Sequence, residues 1–340
     1  MCWFNTDGND SVNVLWSRVR IFRSIERQKF NVTEERKGIS EIVGESKKIL
    51  ELNGFHSSEP LTDENILLYA EQGYIDSGFV RASNDKLLMF NEPCSLSISV
   101  GGFDTFCIQS LLCGNAIDEA SKIVTEAESL LDNYFDFAYS PEKGYLSPFP
   151  LHCGHGVEFS VAMYLPGISG VGEIKKVCRR ADAYSIKIYP MYTYEQNAGN
   201  YFIVDYTPSP SISIQSAKEK IIHFVKYLFS LEKEYEANIF GNNNAVINKA
   251  WRSIGIMEYC GVCGEEEMLA LLSDVRLAMS TGCSDSLPFL FDVKTVNTLY
   301  MELMNTYIYA SEIEKPESLE VCDKLRAQRL NSFVKKRRAG

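Results

Sequence analysis

An α+β fold with a helical C-terminal part is what this sequence predicts, and three patterns predict it. Serines alternate with Leu96, Ile98 and Val100, as on a strand with one buried face. Apolar stripes at helical spacing stand on either side of that strand, at 34–52 and 116–137. Beyond Phe240 the pattern is mostly helical, with Gly241-Asn242-Asn243-Asn244 as the boundary.

Each element has its own residues. The stripe at 34–52 carries Ile39, Ile42, Val43 and Ile49. The one at 116–137 carries Ile117, Ala120, Ile123, Val124, Ala127, Leu130 and Leu131. Stretches 184–189 and 201–206 read as strands joined by a loop rich in Tyr, Asn and Gly. A third helix is expected from Ser216, with Glu219 three residues on completing a capping box. Its buried face would hold Ile221, Ile222, Val225, Leu228 and Phe229. There is no internal repeat.

The 340 residues carry 34 basic and 45 acidic side chains, a net charge of −11. That balance opposes nucleic-acid binding, which needs cations to replace counterions along the phosphates. The concentrated basic run Lys335, Lys336, Arg337 and Arg338 reads as a solvated tail. No stretch reaches the roughly 20 apolar residues of a membrane helix, and no signal-peptide pattern opens the chain. Ten scattered cysteines fit reduced thiols and a cytoplasmic location. Cys260 and Cys263 form a lone C-x-x-C, read as a structural thiol pair.

Local motifs in a fixed order point to function. Ser17-Arg18-Val19-Arg20-Ile21-Phe22-Arg23 is followed by Ser97-Ile98-Ser99-Val100 and Ile108-Gln109. Then come Gly144-Tyr145-Leu146, Pro150, Gly154, Gly156, Leu165-Pro166 and Gly199-Asn200 with Phe202. Arg252-Ser253, Gly255-Ile256 and Leu272-Ser273-Asp274-Val275-Arg276-Leu277 close the series. This series resembles the ATP:guanido phosphotransferases (phosphagen kinases), and its last two motifs resemble the protein-arginine kinases among them. The resemblance covers roughly residues 12 to 330. It implies the guanido-kinase catalytic fold, an antiparallel sheet flanked by helices, over 12–240. A helical domain over 241–334, which in the family supports dimerisation, and the basic tail 335–340 would follow.

The resemblance also implies a chemistry: phosphoryl transfer from ATP with Mg²⁺ to arginine side chains of proteins, alongside a zinc-binding activator protein. Such transfer needs a carboxylate to orient and deprotonate the guanidinium, and arginine forks around the phosphates. Arg18, Arg20 and Arg23 match the family's phosphate-lining arginines. In the N-E-E-D-H-x-R segment the chain reads Gly101-Gly102-Phe103-Asp104-Thr105-Phe106-Cys107. The general base therefore falls on Gly102, the second glutamate on Phe103 and the arginine on Cys107; only Asp104 is kept. The reactive cysteine falls on Phe149, a phosphate arginine on Glu158 and a nucleotide histidine on Gly73. Lys187 stands in for one more arginine if a residue is inserted before Gly199.

Other constellations carry less. His152, Cys153 and His155 place three possible zinc ligands together, but no fourth is identifiable, so no metal site is assigned. His223, in a helix with apolar neighbours, reads as a packed side chain and not a ligand, and His56, in a loop, carries no signal. Tyr184, Tyr189, Tyr192, Tyr194 and Tyr201 would stack on a ligand or simply pack.

Three readings follow. The first is a catalytically impaired relative with a regulatory or partner-binding role, paired with an active kinase or activator protein as a homo- or heterodimer. The second is an active protein-arginine kinase with a rebuilt site that uses Asp104 or Glu158, with ATP and Mg²⁺ as cofactors. The third is a phosphoarginine-binding module; the R-D-x-x-R-A segment for that ligand maps near Leu319-Glu320-Val321-Cys322-Asp323, where its arginines are taken as missing.

Overall fold

A computed structural model describes residues 2–26, 30, 38–58, 61–82, 85–192 and 198–339. The strands are β1 (Val14–Arg23), β2 (His56–Ser57), β3 (Leu87–Phe90), β4 (Leu96–Val100) and β5 (Phe106–Cys113), then β6 (Tyr139–Ser140), β7 (Gly144–Tyr145), β8 (Val157–Tyr164), β9 (Lys187–Pro190) and β10 (Tyr201–Tyr206). The helices of the first half are α1 (Ile39–Leu52), α2 (Asp63–Glu71), α3 (Ser77–Arg81) and α4 (Ile117–Asp132). Those of the second half are α5 (Pro166–Gly170), α6 (Ile174–Asp182), α7 (Ile214–Phe240), α8 (Asn243–Tyr259), α9 (Glu265–Ser280), α10 (Val293–Glu302), α11 (Asn305–Ser311) and α12 (Leu319–Ala339). The main sheet has the order β2-β3-β4-β5-β1-β8-β10-β9, and β6-β7 form a separate pair. The expected α+β architecture with a helical C-terminal region is present, and β4 is an interior strand, antiparallel to β3 and β5.

Two compact units emerge, each gathered from several stretches. The first comprises Met1–Trp3, Trp16–Val161 and Asp205–His223; the second comprises Phe4–Leu15, Ala162–Val204 and Phe224–Gly340. The single boundary expected at 240/241 falls inside the second unit. Sequence pattern reads along the chain, whereas compactness is set by contacts that join distant stretches. The run Lys335, Lys336, Arg337 and Arg338 is exposed, and it continues α12 as helix instead of forming a separate tail.

In the first unit, strand register separates two faces of the sheet. Ile21 stands opposite Ile108, and Ile108 opposite Ile98. These residues share the apolar face, and α4 lays Ile117, Ala120, Val124, Ala127 and Leu131 into the core. Side chains alternate along a strand, so Arg18 and Arg20 face the other way. Gln109 stands opposite Arg20, and Ser97 opposite Gln109. That second face is polar.

Several ends differ from expectation for local reasons. The first helix starts at Ile39 after Gly38, which takes a left-handed φ of 81°; Glu34, where the pattern begins, lies outside the described residues. Helix α4 stops at Asp132, and Phe135 and Phe137 turn inward onto Phe106 at 5.1 and 6.1 Å between ring centroids. At the start of α7 the cap is Ser213, whose Oγ accepts the Ser216 N–H at 3.1 Å. Ser216 is therefore inside the helix. The strand expected at 184–189 begins at Lys187, because Tyr184 and Ser185 close the turn after α6 and Ser185 takes φ 56°.

The second unit is organised around a buried arginine. Arg276, 1% exposed on α9, donates to the carbonyls of Ser11 and Val12 at 3.3 and 3.0 Å and also to Asn297 Oδ1. Nearby, Tyr164 Oη donates to Ser273 O at 2.7 Å. Two signature residues of one motif thus act as structural fasteners. Replacing Arg276 by Leu leaves several buried acceptors without donors, each costing about 1–3 kcal/mol. A loss of at least about 3 kcal/mol is expected, read as a lower urea midpoint with unchanged slope.

Candidate active site

The polar face of the first unit is built on β1. Arg20, 8% exposed, donates through Nε to Gln109 Oε1 at 2.5 Å, through Nη1 to Glu158 Oε1 at 3.2 Å and through Nη2 to Ile75 O at 3.2 Å. Arg18 donates to Ser160 Oγ at 3.1 Å, lies 3.6 Å from Glu158 Oε1 and stacks over Trp16 at 4.9 Å. Ser160 in turn donates to Asp205 Oδ1 at 2.8 Å. Two arginines and two carboxylates therefore form one network.

Its charges shape one another. Burial works to raise the pKa of Glu158, but the Arg20 and Arg18 guanidiniums outweigh it and hold the carboxyl below its usual range. Burial also works to lower the pKa of Arg20, and Glu158 reverses that. Asp205 goes the other way: burial, then the Glu158 charge, push it up to about 6 against the pull of Arg18. Cys107, opposite Phe22 in register, is raised well above a normal thiol by burial and then by Asp76.

The segment 72–75 covers this face. Gln109 Nε2 donates to Gly73 O at 2.8 Å, and Ser97 Oγ to Tyr74 O at 3.1 Å. A Cβ on Gly73 would stand 3.7 Å from Arg18 Nη1. Gly73 is thus beside the arginines, where the resemblance puts a nucleotide histidine.

The other expected residues divide. Arg23 does not join Arg18 and Arg20. Alternation puts it on the opposite face, where Nε donates to Glu128 Oε1 on α4 at 2.6 Å and the guanidinium stacks 3.4 Å from the Tyr145 ring. Lys187 is exposed at the start of β9 and belongs to the second unit, whereas Arg18 and Arg20 belong to the first.

Beside Gly102, where the resemblance puts the general base, Gly101 takes φ +94°, and a Cβ there would fall on the Asp85 carbonyl oxygen. A Cβ on Gly102 would meet the Phe79 backbone at 3.3 Å and Asp104 O at 3.2 Å. A glutamate at 102 thus requires α3 to give way. Phe103 and Phe149, which stand where the resemblance puts a glutamate and the reactive cysteine, pack on each other at 5.5 Å. Phe149 meets His152 edge-on at 5.4 Å, and His152 stacks on Phe22 at 3.7 Å. Its Nδ1 lies 2.6 Å from Asp104 Oδ2, while Ser24 Oγ donates to Asp104 Oδ1 at 3.1 Å.

His152, Cys153 and His155 take separate partners. His155 Nε2 lies 2.7 Å from Ile212 O, and the Cys153 thiol meets the Ser147 and Phe149 carbonyls. Among the described residues no group of three or more His, Cys, Asp or Glu is placed to hold a metal ion. Of the tyrosines, Tyr201 and Tyr192 pack on Tyr300 at 5.0 and 5.9 Å and Tyr184 lies 6.2 Å from Phe224; Tyr194 lies outside the described residues. Asp205 and the Asp104–His152 pair escaped sequence reading. An acidic residue inside the apolar strand 201–206 was the one available signal for the first; 48 residues separate the partners of the second.

Residues 35–234 match the family model described as ATP:guanido phosphotransferase, C-terminal catalytic domain. The chain belongs to the ATP:guanido phosphotransferase family. A protein-arginine kinase of Pelotomaculum thermopropionicum is 24% identical over 328 residues, 90% of this chain and 88% of that protein. One of Clostridium novyi is 22% identical over 334 residues, covering 94% of each. Among solved structures, lombricine kinase superposes with a TM-score of 0.53 at 15% identity, over 70% of each chain. The substrate-free duplicated taurocyamine kinase from Schistosoma mansoni gives 0.53 at 16% identity, over 68% of this chain and 33% of its own length. These superpositions show a shared phosphagen-kinase fold. Among the described residues no helix is long and apolar enough to cross a membrane.

The family implies ATP, and the residues present do not fit its phosphates. The Arg18 and Arg20 forks are engaged by Glu158, Ser160, Gln109 and Ile75, and a second carboxylate, Asp205, adjoins them. Anionic phosphate would have to displace an internal anion. The segment matched to R-D-x-x-R-A also needs correction: Cys322-Asp323-Lys324-Leu325-Arg326-Ala327 lacks only its first arginine. Arg326 is fully buried and donates to Leu303 O, Cys263 O, Asp323 and Asn305, so it acts as a structural tie.

Asp205 sets a pH test. Its folded pKa is raised from 3.8 to about 6, so the folded state holds that proton more tightly than the unfolded one. The resulting penalty is absent below about pH 4, grows through about pH 6 and is complete above it. Asp205→Asn removes it while keeping an acceptor for Ser160. At pH 7.5 the variant is expected to be more stable by about 2 kcal/mol after allowance for solvent screening. The gain should vanish near pH 4 in denaturant titrations.

Proposed function

We propose that this chain is a catalytically impaired guanido phosphotransferase homologue that acts by binding other proteins. The observation that carries the reading is the Glu158 carboxylate lying across Arg18 and Arg20. In the intact family pattern those arginines serve phosphate; here they serve an internal acid. The loss of a base at Gly102 supports the same reading, as does the aromatic packing of Phe103 on Phe149. General-base assistance alone is commonly worth roughly 10²–10⁴-fold. The relatives named protein-arginine kinase suggest its setting: a cytoplasmic chain that engages a protein substrate, an activator protein or an active kinase, as a homo- or heterodimer.

A second reading, an active kinase with a rebuilt site, has one observation in its favour. Asp104 orients His152, whose Nε2 has no hydrogen-bond partner among the described residues. In that case ATP and Mg²⁺ would be required, and the base would be this imidazole in place of Asp104 or Glu158 alone.

Calorimetry with ATP and Mg²⁺, together with phosphoarginine detection on casein, separates the two. No phosphoarginine and no micromolar ATP binding are expected from the unaltered chain. Glu158→Ala removes the carboxylate from both guanidiniums and should tighten ATP binding by at least about tenfold, the worth of one charge-assisted hydrogen bond. Gly102→Glu alone should restore no transfer. Robust phosphoarginine formation that is lost in His152→Gln would establish the second reading instead.

A further inference from the structure

We propose that the cavity between α6 and the edge strand β9 is a binding site for a small amphiphilic anion, an aliphatic chain that ends in a carboxylate. The inference stands whether or not ATP binds. Every residue it uses belongs to the second unit, whereas Arg18 and Arg20 belong to the first.

Helix α6 divides its side chains between two environments. Val177 and Ala181 are buried. Ile174, Lys175, Cys178 and Arg179 line a cavity of about 550 Å³, together with Pro190 of β9 and Phe202 of β10. That volume falls within the roughly 300–1,000 Å³ usual for small-molecule sites. Phe202 is buried, and Ile174 and Cys178 are half-buried, so the interior is apolar.

The four cations of α6 divide in the same way. Lys176 pairs with Glu173 at 2.8 Å, and Arg180 donates to the Tyr227 hydroxyl at 2.9 Å while stacking over its ring. Lys175 and Arg179 line the cavity and are exposed, and among the described residues neither forms an ion pair or side-chain hydrogen bond. They stand four positions apart, a spacing at which helical side chains are neighbours. An anion between them would gain charge-assisted hydrogen bonds from both. These two cations give an apolar cavity its preference for an anionic head.

The neighbouring strand argues against an extended peptide as the ligand. β9 ends the sheet, at the place where a peptide strand would add. Pro190 has no N–H to donate there. The Ile188 carbonyl already accepts the Cys178 thiol at 3.5 Å. A ligand held by side chains alone suits this edge, with its chain against Ile174 and Phe202 and its carboxylate on Lys175 and Arg179.

The test titrates the full chain by calorimetry with sodium decanoate, kept below the concentration at which it forms micelles. Saturable binding is expected, and it should protect Cys178 from iodoacetamide. Lys175→Glu combined with Arg179→Glu should weaken binding by at least about tenfold, the worth of one charge-assisted hydrogen bond. Lys176→Glu combined with Arg180→Glu makes the same change of charge outside the cavity. It should shift affinity by less than about twofold, because exposed charges are screened by salt. Both pairs are exposed, so circular dichroism should match that of the unaltered chain. Sodium acetate, an anion without a chain, and decyltrimethylammonium, a chain without an anion, should leave Cys178 as reactive as before. The inference is overturned by any of four results: no saturable binding, equal loss in the two double variants, protection by either control compound, or adsorption to phosphatidylglycerol vesicles without protection by decanoate.

Discussion

A carboxylate held between two guanidiniums organises the polar side of the sheet. Glu158 sits on β8 with its side chain 17% exposed, close enough to Arg20 for a hydrogen bond and to Arg18 for an ion pair. Breaking a buried pair by removing one partner is commonly worse than never having built it, because an uncompensated charge is left behind. The arginines and Glu158 therefore constrain one another. Ser160, Gln109 and the carbonyl of Ile75 complete their hydrogen bonding. The anionic partner of these two arginines comes from within the chain.

The residues around it pack against one another. Phe103 and Phe149 fill neighbouring places with two aromatic rings in contact, and His152 closes the group by stacking on Phe22. Gly102 fits under the backbone of Phe79, where a larger residue is crowded. The result is a half-buried aromatic cluster beside an ion network. The likeness to lombricine kinase at 15% identity shows how far the fold persists while sequence changes.

The second unit keeps family motifs for a different reason. Arg276 and Arg326 are long cations buried almost completely, and each is spent on backbone carbonyls and side-chain amides of neighbouring segments. Such groups tolerate little change, since every acceptor they satisfy would otherwise be buried without a donor. Glu232 does similar work with opposite charge. It accepts the N–H groups of Gly167 and Ile168, and burial raises its carboxyl to about 7.

The sequence by itself determined the family, the strand Leu96–Val100 and the long helices. Those features are local: alternation, helical spacing and motif order are written in neighbouring residues. It marked Arg18, Arg20 and Arg23 as one set, yet strand alternation sends Arg23 to the other face, to Glu128. It treated Glu158 as a charge reversal, and only the pairing of strands made it the partner of Arg18 and Arg20. Asp205 beside Ser160, and His152 on Asp104, are likewise contacts between residues far apart in the chain. Pairings of this kind depend on strand register and on which loop covers which face, and a one-residue slip would invert them.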